Sequence, residues 1–403
     1  MNKRLVTLQF TQVPALIAVH FFIGFIFWYG IEKIFLSNIL HIGPTGISAI
    51  VVLYTAMTLL LDVPASVIAD RWGRKKMIVL AVLLFTAANI ILGLSQDFAM
   101  YLLGTAVWAL FSVSFYGTFE ALLFDSLKAE KRESEFQKVD AWSRFFFMIG
   151  IGIASIASGF LAEYFGLRNA YFFTIIPLIV ALIVLIFVKE PKVSHDDEVE
   201  DITRRGYLGH LAQAFKVVWR TPELRLVMFG TIALFFIQTP MYEFNQYIYI
   251  ELLRSPVLVG IAGGAIGGFV LALGFYVASR KLFRPSILLV VIGAAIISFA
   301  LLSNNASLVF VAIALAGGAM LENALQTELQ HSTTSRTRAS VTSAVYFAGN
   351  VLIVPFVFLF GAVAEGQSIW FAYVIDGIVV TLMALAYIIL SRYLRIPIVD
   401  KRL

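Results

Sequence analysis

Twelve apolar runs of roughly twenty residues or more follow one another along this 403-residue chain, and no other feature narrows its fold as far. A helix rises 1.5 Å per residue, so about 20 residues cross a hydrocarbon layer ~30 Å thick. The runs cover residues 10–36, 46–69, 77–95, 98–127, 138–163, 168–188, 223–252, 257–279, 285–303, 306–329, 339–364 and 367–391. In lipid only helices and closed barrels satisfy every backbone N–H and C=O, and the alternation of a barrel strand is absent here. The expected fold is therefore all-α, an integral membrane protein with twelve transmembrane helices. Composition agrees: 14% of residues are charged and 60% hydrophobic, whereas a soluble domain carries about a quarter charged residues. Cysteine is absent, which excludes disulfide frameworks and thiolate metal sites.

The basic residues give the runs a direction. Threading the chain with its N-terminus in the cytoplasm puts 26 of the 30 Lys and Arg residues on the cytoplasmic side. Lys33, Arg168 and Arg254 fall on the other side, and Arg144 lies inside a span. Such asymmetry sets orientation, so both termini are expected in the cytoplasm of a protein of the inner (plasma) membrane. The net charge of +5 sits beside the spans and implies no nucleic-acid partner. Lys3 and Arg4 precede an apolar run with no A-x-A site, which reads as a retained first span and not a cleaved signal peptide.

A polar stretch, 189–222, separates six runs from six. It divides the chain into an N-terminal bundle (1–188), a cytoplasmic inter-domain loop (189–222) and a C-terminal bundle with its tail (223–403). Within the loop, LGHLAQAFKVVW has the pattern of a helix lying on a membrane surface. An internal repeat appears at an offset of 202: Glu120 in FEALLFDSL maps onto Glu322 in LENALQTEL, and GFLAE at 159–163 onto GAVAE at 361–365.

The loop between the second and third runs reads PASVIADRWGRKK. Asp70 ends a span, where it can accept hydrogen bonds from the N-terminus of a neighbouring helix. Gly73 permits a tight turn, and Arg71 and Arg74 offer forked donors to carboxylates. The loop resembles the signature of the major facilitator superfamily, G-x-x-x-D-R-x-G-R-[KR]. Asp70, Arg71, Gly73, Arg74 and Lys75 match in place, and Ser66 stands where the leading glycine would be.

That resemblance implies two pseudo-symmetric six-helix bundles around a cavity lined by spans 1, 4, 7 and 10. It also implies a conformational gate made of Asp70, Arg71, Gly73 and Arg74 with Asp125 of span 4, to which Arg338 at the start of span 11 could add a charge pair. The chain departs from the family in several places. LLGTAVWAL in span 4 lacks the frequent arginine, IGIGIASIASG in span 5 lacks the antiporter proline, and Ser279 replaces the aspartate of the counterpart loop.

Ionisable residues at membrane depth are costly and are functional candidates by default. Asp62 lies eight residues before Asp70, roughly 12 Å toward the membrane centre. With Glu120 and Arg144 it forms either a neutralised structural network reaching Asp125 and Arg74, or the surroundings of a proton-coupling Glu120. Glu243 and Glu322 have no basic partner within a span of their own half, which makes them proton-coupling candidates too. Asp376 is expected to be peripheral, with a structural hydrogen bond.

Stripes at three- and four-residue spacing share a helix face. Gln238, Tyr242, Asn245 and Tyr249 form one; Phe21, Phe25, Trp28 and Glu32 another; Ser112, Tyr116 and Glu120 a third. The expected substrate contacts are Trp28, Tyr116, Tyr242, Asn245 and Asn323, in a cavity where ring faces and carboxylates suit amphipathic cations. Proton-coupled efflux of hydrophobic or cationic small molecules by a monomeric multidrug antiporter is the expected function. Uptake of a nutrient such as a sugar, through Asn245, Gln246, Asn323 and Gln326, is one alternative, and a non-transporting receptor is another. Only Arg144 and Lys33 are expected as basic cavity residues, which counts against organic anions. No nucleotide loop, metal cluster or nucleophile–base pair points to an enzyme or a cofactor.

Overall fold

The computed structural model describes residues 12–190, 207–280, 283–333 and 335–394, and no strand occurs among the described residues. Spans 2 to 6 are Pro44–Trp72, Arg74–Leu94, Phe98–Ala129, Phe136–Phe165 and Asn169–Phe187. Span 7 is Pro222–Leu253, interrupted at Phe244, and span 8 runs from Pro256 to Arg280. Spans 9 to 12 are Pro285–Leu302, Ser307–His331, Ser335–Gly366 and Ile369–Tyr393. Eleven of the described helices are long and apolar enough to cross a membrane. Their starts follow from local chemistry. Pro44, Pro222, Pro256 and Pro285 occupy the first turn, where a missing N–H is harmless. The Asp97 carboxylate and the Ser368 hydroxyl cap spans 4 and 12 by accepting from the N–H of Met100 (2.8 Å) and Phe371 (3.1 Å).

Span 1 is not the continuous helix that its composition suggests. It comprises Val13–Ile23, a 3₁₀ turn at Phe27–Gly30 and a short helix Glu32–Asn38. An interruption at membrane depth survives only where the freed backbone groups find partners inside the protein. Here the Phe27 N–H donates to Thr174 Oγ1 at 3.1 Å. Gln246 of span 7 serves two more, accepting from the Lys33 N–H at 3.0 Å and donating to the Tyr29 carbonyl.

Spans 1–6 and spans 7–12 form two six-helix bundles that meet most extensively along two seams, span 5 on span 8 and span 2 on span 11, with span 1 also touching spans 7 and 8. The first seam is close because a Cβ on Gly268 would overlap the Gly152 backbone, and there span 8 winds as a π-helix over Gly263–Val270. The outer surface is apolar: Ile179, Ile183 and Ile186 of span 6 and Leu382, Leu385 and Ile389 of span 12 are all exposed. Lipid covers such stripes without cost, whereas water does not. The amphipathic segment is a helix, Tyr207–Arg220, and it docks on span 11 through Ala214 against Ala344 and Val218 against Val341 and Val345. The side chain of Arg338 lies outside the described residues.

Candidate functional site

A cavity of about 2160 Å³ lies between the bundles. Its rim includes Lys138 at the start of span 5, Arg280 at the end of span 8 and His331 at the end of span 10. These helix ends share the face on which spans 2 and 3 turn at Gly73, so the cavity opens on that face. Span 2 contributes Tyr54 and Asp62 to the walls, and span 11 contributes Tyr346 and Asn350. Ser112, Tyr116 and Glu120 of span 4 all line the cavity, as their common stripe predicts. Asn323 and Gln326 line it from span 10.

The charged wall is uneven. Arg144 pairs with Glu120 and, at 2.9 Å, with Asp140, all three belonging to the first bundle. Glu322, across the cavity, accepts a hydrogen bond from Gln238 Nε2 at 2.8 Å and makes no ion pair among the described residues. Asp62 lines the wall and also makes no ion pair among them. The basic lining is richer than expected, since Lys138, Arg280 and Arg284 reach the rim, while Lys33 is not part of it.

The network expected as one alternative for Asp62, Glu120, Arg144, Asp125 and Arg74 is two separate clusters, with Asp62 in neither ion-paired group among the described residues. Arg74 forms its own cluster, bonded to Asp70 at 3.2 Å and to the buried Asp125. Gly73 sits at φ +111°, where a side chain would be strained, and the Glu190 carboxylate accepts from the Arg74 N–H beside it. Arg71 is exposed and has no ion pair among the described residues.

The opposite end of the cavity is closed by contacts between the bundles. Lys33 Nζ donates to Glu32 at 2.6 Å and to Glu243 at 3.2 Å, so Glu243 does have a cation, supplied by the other bundle. Tyr101 donates to Glu32 at 2.6 Å. Ser48 donates to the Val357 carbonyl at 2.7 Å, and Glu365 accepts from the Thr45 N–H at 2.9 Å, tying span 11 to the first turn of span 2.

Several expected contacts are placed elsewhere. Trp28 is fully buried inside the first bundle, donating to Asn89 at 2.7 Å and stacked on Tyr171 at 5.2 Å. Asn245 and Tyr249 are buried beyond the interruption of span 7, while Tyr242 is exposed but not among the residues that line the cavity. Asp376, expected to be peripheral and hydrogen-bonded, is fully buried, and neither oxygen has a hydrogen-bond partner among the described residues. Sequence reading passed over His20, which is buried, bonded to Ser143 at 2.8 Å and stacked on Phe147. Its rarity at membrane depth was the available signal. No group of three or more metal-ligating side chains occurs among the described residues.

Residues 15–358 match the sequence profile described as Major Facilitator Superfamily. Two Bacillus subtilis (strain 168) proteins are similar in sequence. Multidrug resistance protein 2 is 25% identical over 40% of this chain and 39% of its own length. Multidrug resistance protein 1 is 21% identical over 58% of this chain and 57% of its own. The chain thus matches less than two thirds of either relative. Among solved structures, the nucleoside transporter NupG superposes with a TM-score of 0.74 at 12% identity, over 94% of this chain and 99% of that one. A bacterial homolog of the human lysosomal transporter Spinster, in an inward-facing and unoccupied conformation, gives 0.73 at 14% identity, over 95% and 97%. Identities this low speak for the fold alone.

Proposed function

The chain belongs to the major facilitator superfamily, and on that premise we propose that it exports hydrophobic, cationic small molecules in exchange for protons. The observation that carries the reading is Glu322: a carboxyl on the cavity wall whose hydrogen-bond partner is the neutral amide of Gln238. An acid beside a neutral amide exchanges its proton more readily than one held by a guanidinium. It can also take an organic cation in place of that proton. Glu120, its counterpart in the repeat, is held by Arg144 and would sense substrate by trading that partner. Tyr116, Trp142 and Tyr276 supply ring faces around the same space, and cations bind ring faces as well as carboxylates. The names of the two Bacillus relatives point the same way.

In this reading the face that carries Gly73, with most of the loop lysines and arginines, is cytoplasmic. The structure then corresponds to a cavity open to the cytoplasm. Asp70, Arg74 and Asp125 form the cluster that must rearrange when that side closes. A second reading, uptake of a neutral hydroxylated solute, draws on the amides Asn323, Gln326 and Asn350 in the wall.

The test is accumulation of a fluorescent organic cation in cells expressing the wild type, Glu120→Gln or Glu322→Gln. Wild type should lower accumulation, and Glu322→Gln should abolish that effect. Equal accumulation in all strains, or efflux indifferent to a collapsed pH gradient, would reject the proposal.

A further inference from the structure

The helix Tyr207–Arg220 lies outside both bundles and has two unlike sides. It docks inward through Ala214 and Val218, against Ala344, Val341 and Val345 of span 11. On its other side Ala212, Gln213, Lys216, Trp219 and Arg220 recur at three- and four-residue spacing and are exposed. Trp219 is 69% exposed. Neither Lys216 nor Arg220 forms an ion pair among the described residues.

The chain holds this face at the end of a span. Only Thr221, in an extended conformation, separates Arg220 from Pro222 at the start of span 7. The Thr221 N–H donates back to the Val217 carbonyl at 3.1 Å, which makes the corner tight. Trp219 and Arg220 are therefore fixed where a span leaves the hydrocarbon, at the level of the lipid headgroups. An indole, with an apolar body and one N–H, is favoured at that level. A lysine and an arginine on the same face can reach phosphates, and each such cation adds to the attraction of an anionic surface. Glu223, the exposed acid just beyond, lies in the first turn of span 7, where it offsets that helix's own dipole.

The docked side connects to the cavity. Phe215 packs on Phe347 with ring centroids 6.4 Å apart, and Phe347 lines the cavity wall. We propose that the exposed face of Tyr207–Arg220 binds anionic phospholipid through Lys216, Trp219 and Arg220, and that bound lipid clamps the helix onto span 11 at the cavity wall. Zwitterionic lipid offers the indole the same seat but has no net charge for the two cations. The clamp thus follows the charge of the bilayer. It does not depend on what the cavity carries or in which direction.

The test is hydrogen exchange read by mass spectrometry, on the full chain in nanodiscs of phosphatidylcholine alone or mixed equally with phosphatidylglycerol. Anionic lipid should slow exchange in the helix by up to about thirtyfold, the effect of two cations at an anionic surface. Exchange in 341–350 of span 11 should slow with it. In Lys216→Gln/Arg220→Gln, whose altered side chains are both exposed, the two differences should vanish. Trp219→Ser should raise exchange in both bilayers while keeping the ratio between them. Equal exchange in the two bilayers, the outcome if this face is left to the cytoplasm or to a protein partner, overturns the proposal. So does slowing that survives in the double variant, or a slowed helix over an unaffected span 11.

Discussion

Two three-membered charge clusters of the same make-up, one cation between two acids, differ in how far they are enclosed, one lining the cavity wall and the other lying where the bundles close. Arg144 with Glu120 and Asp140 lies within one bundle and faces water: its side chain is 55% exposed. Lys33 with Glu32 and Glu243 joins both bundles, and its ammonium is almost wholly enclosed. An exposed pair contributes little to stability, because water and salt screen it. A buried pair is a poor source of net stability but is expensive to break by halves, because the survivor is left charged in a dry place. The hydrated cluster is therefore free to exchange partners with a solute. The one with the enclosed ammonium is suited to holding a conformation.

The sharpest way to break this comparison is Lys33→Met, which strands the buried Glu32 beside a Glu243 that is one-third exposed. It should lose about 3–5 kcal/mol in the thermal unfolding of the detergent-purified protein, and a loss no larger than a surface mutation's would show that the cluster is already hydrated. Asp125→Asn comes next, since Arg74 loses a charge-assisted bond worth about 2 kcal/mol. Its signature should be a changed distance between spin labels introduced on the two bundles at the Gly73 face. Glu365→Ala removes an anion from the first turn of span 2, worth about 1 kcal/mol or less, and should lower the unfolding midpoint of the purified protein only slightly. Glu120→Gln should change unfolding by less than about 1 kcal/mol yet weaken binding of an organic cation measured by tryptophan quenching.

What could be read from the sequence depended on helix continuity. Span 4 is unbroken, so the three- and four-residue spacing of Ser112, Tyr116 and Glu120 carried all three to the cavity. Spans 1 and 7 are interrupted, at Gly24–Ile26 and at Phe244, and a stripe cannot be extrapolated across an interruption. Trp28, Asn245 and Tyr249 lie beyond those breaks and are turned into the bundles. The apolar runs located the spans, and the helices extend past several of them, as Pro44–Trp72 does past 46–69, because proline and capping residues set the ends locally. The partner of Glu243 was not, since Lys33 stands 210 residues away in the other bundle and no local pattern encodes that pairing. Glu120 and Glu322, which the repeat pairs, both line the cavity. The repeat did not convey that one is held by a guanidinium and the other by an amide.

The central claim is that a cation and a proton use the same acids in turn. Liposomes containing the purified chain and a trapped pH-sensitive dye test it directly. Adding a fluorescent organic cation outside acid-loaded vesicles should drive proton exit, so that the lumen turns alkaline as the cation enters, and Glu322→Gln should abolish both signals together. Cation entry with no change in lumenal pH, or the same coupled exchange in Glu322→Gln as in the wild type, would contradict the account.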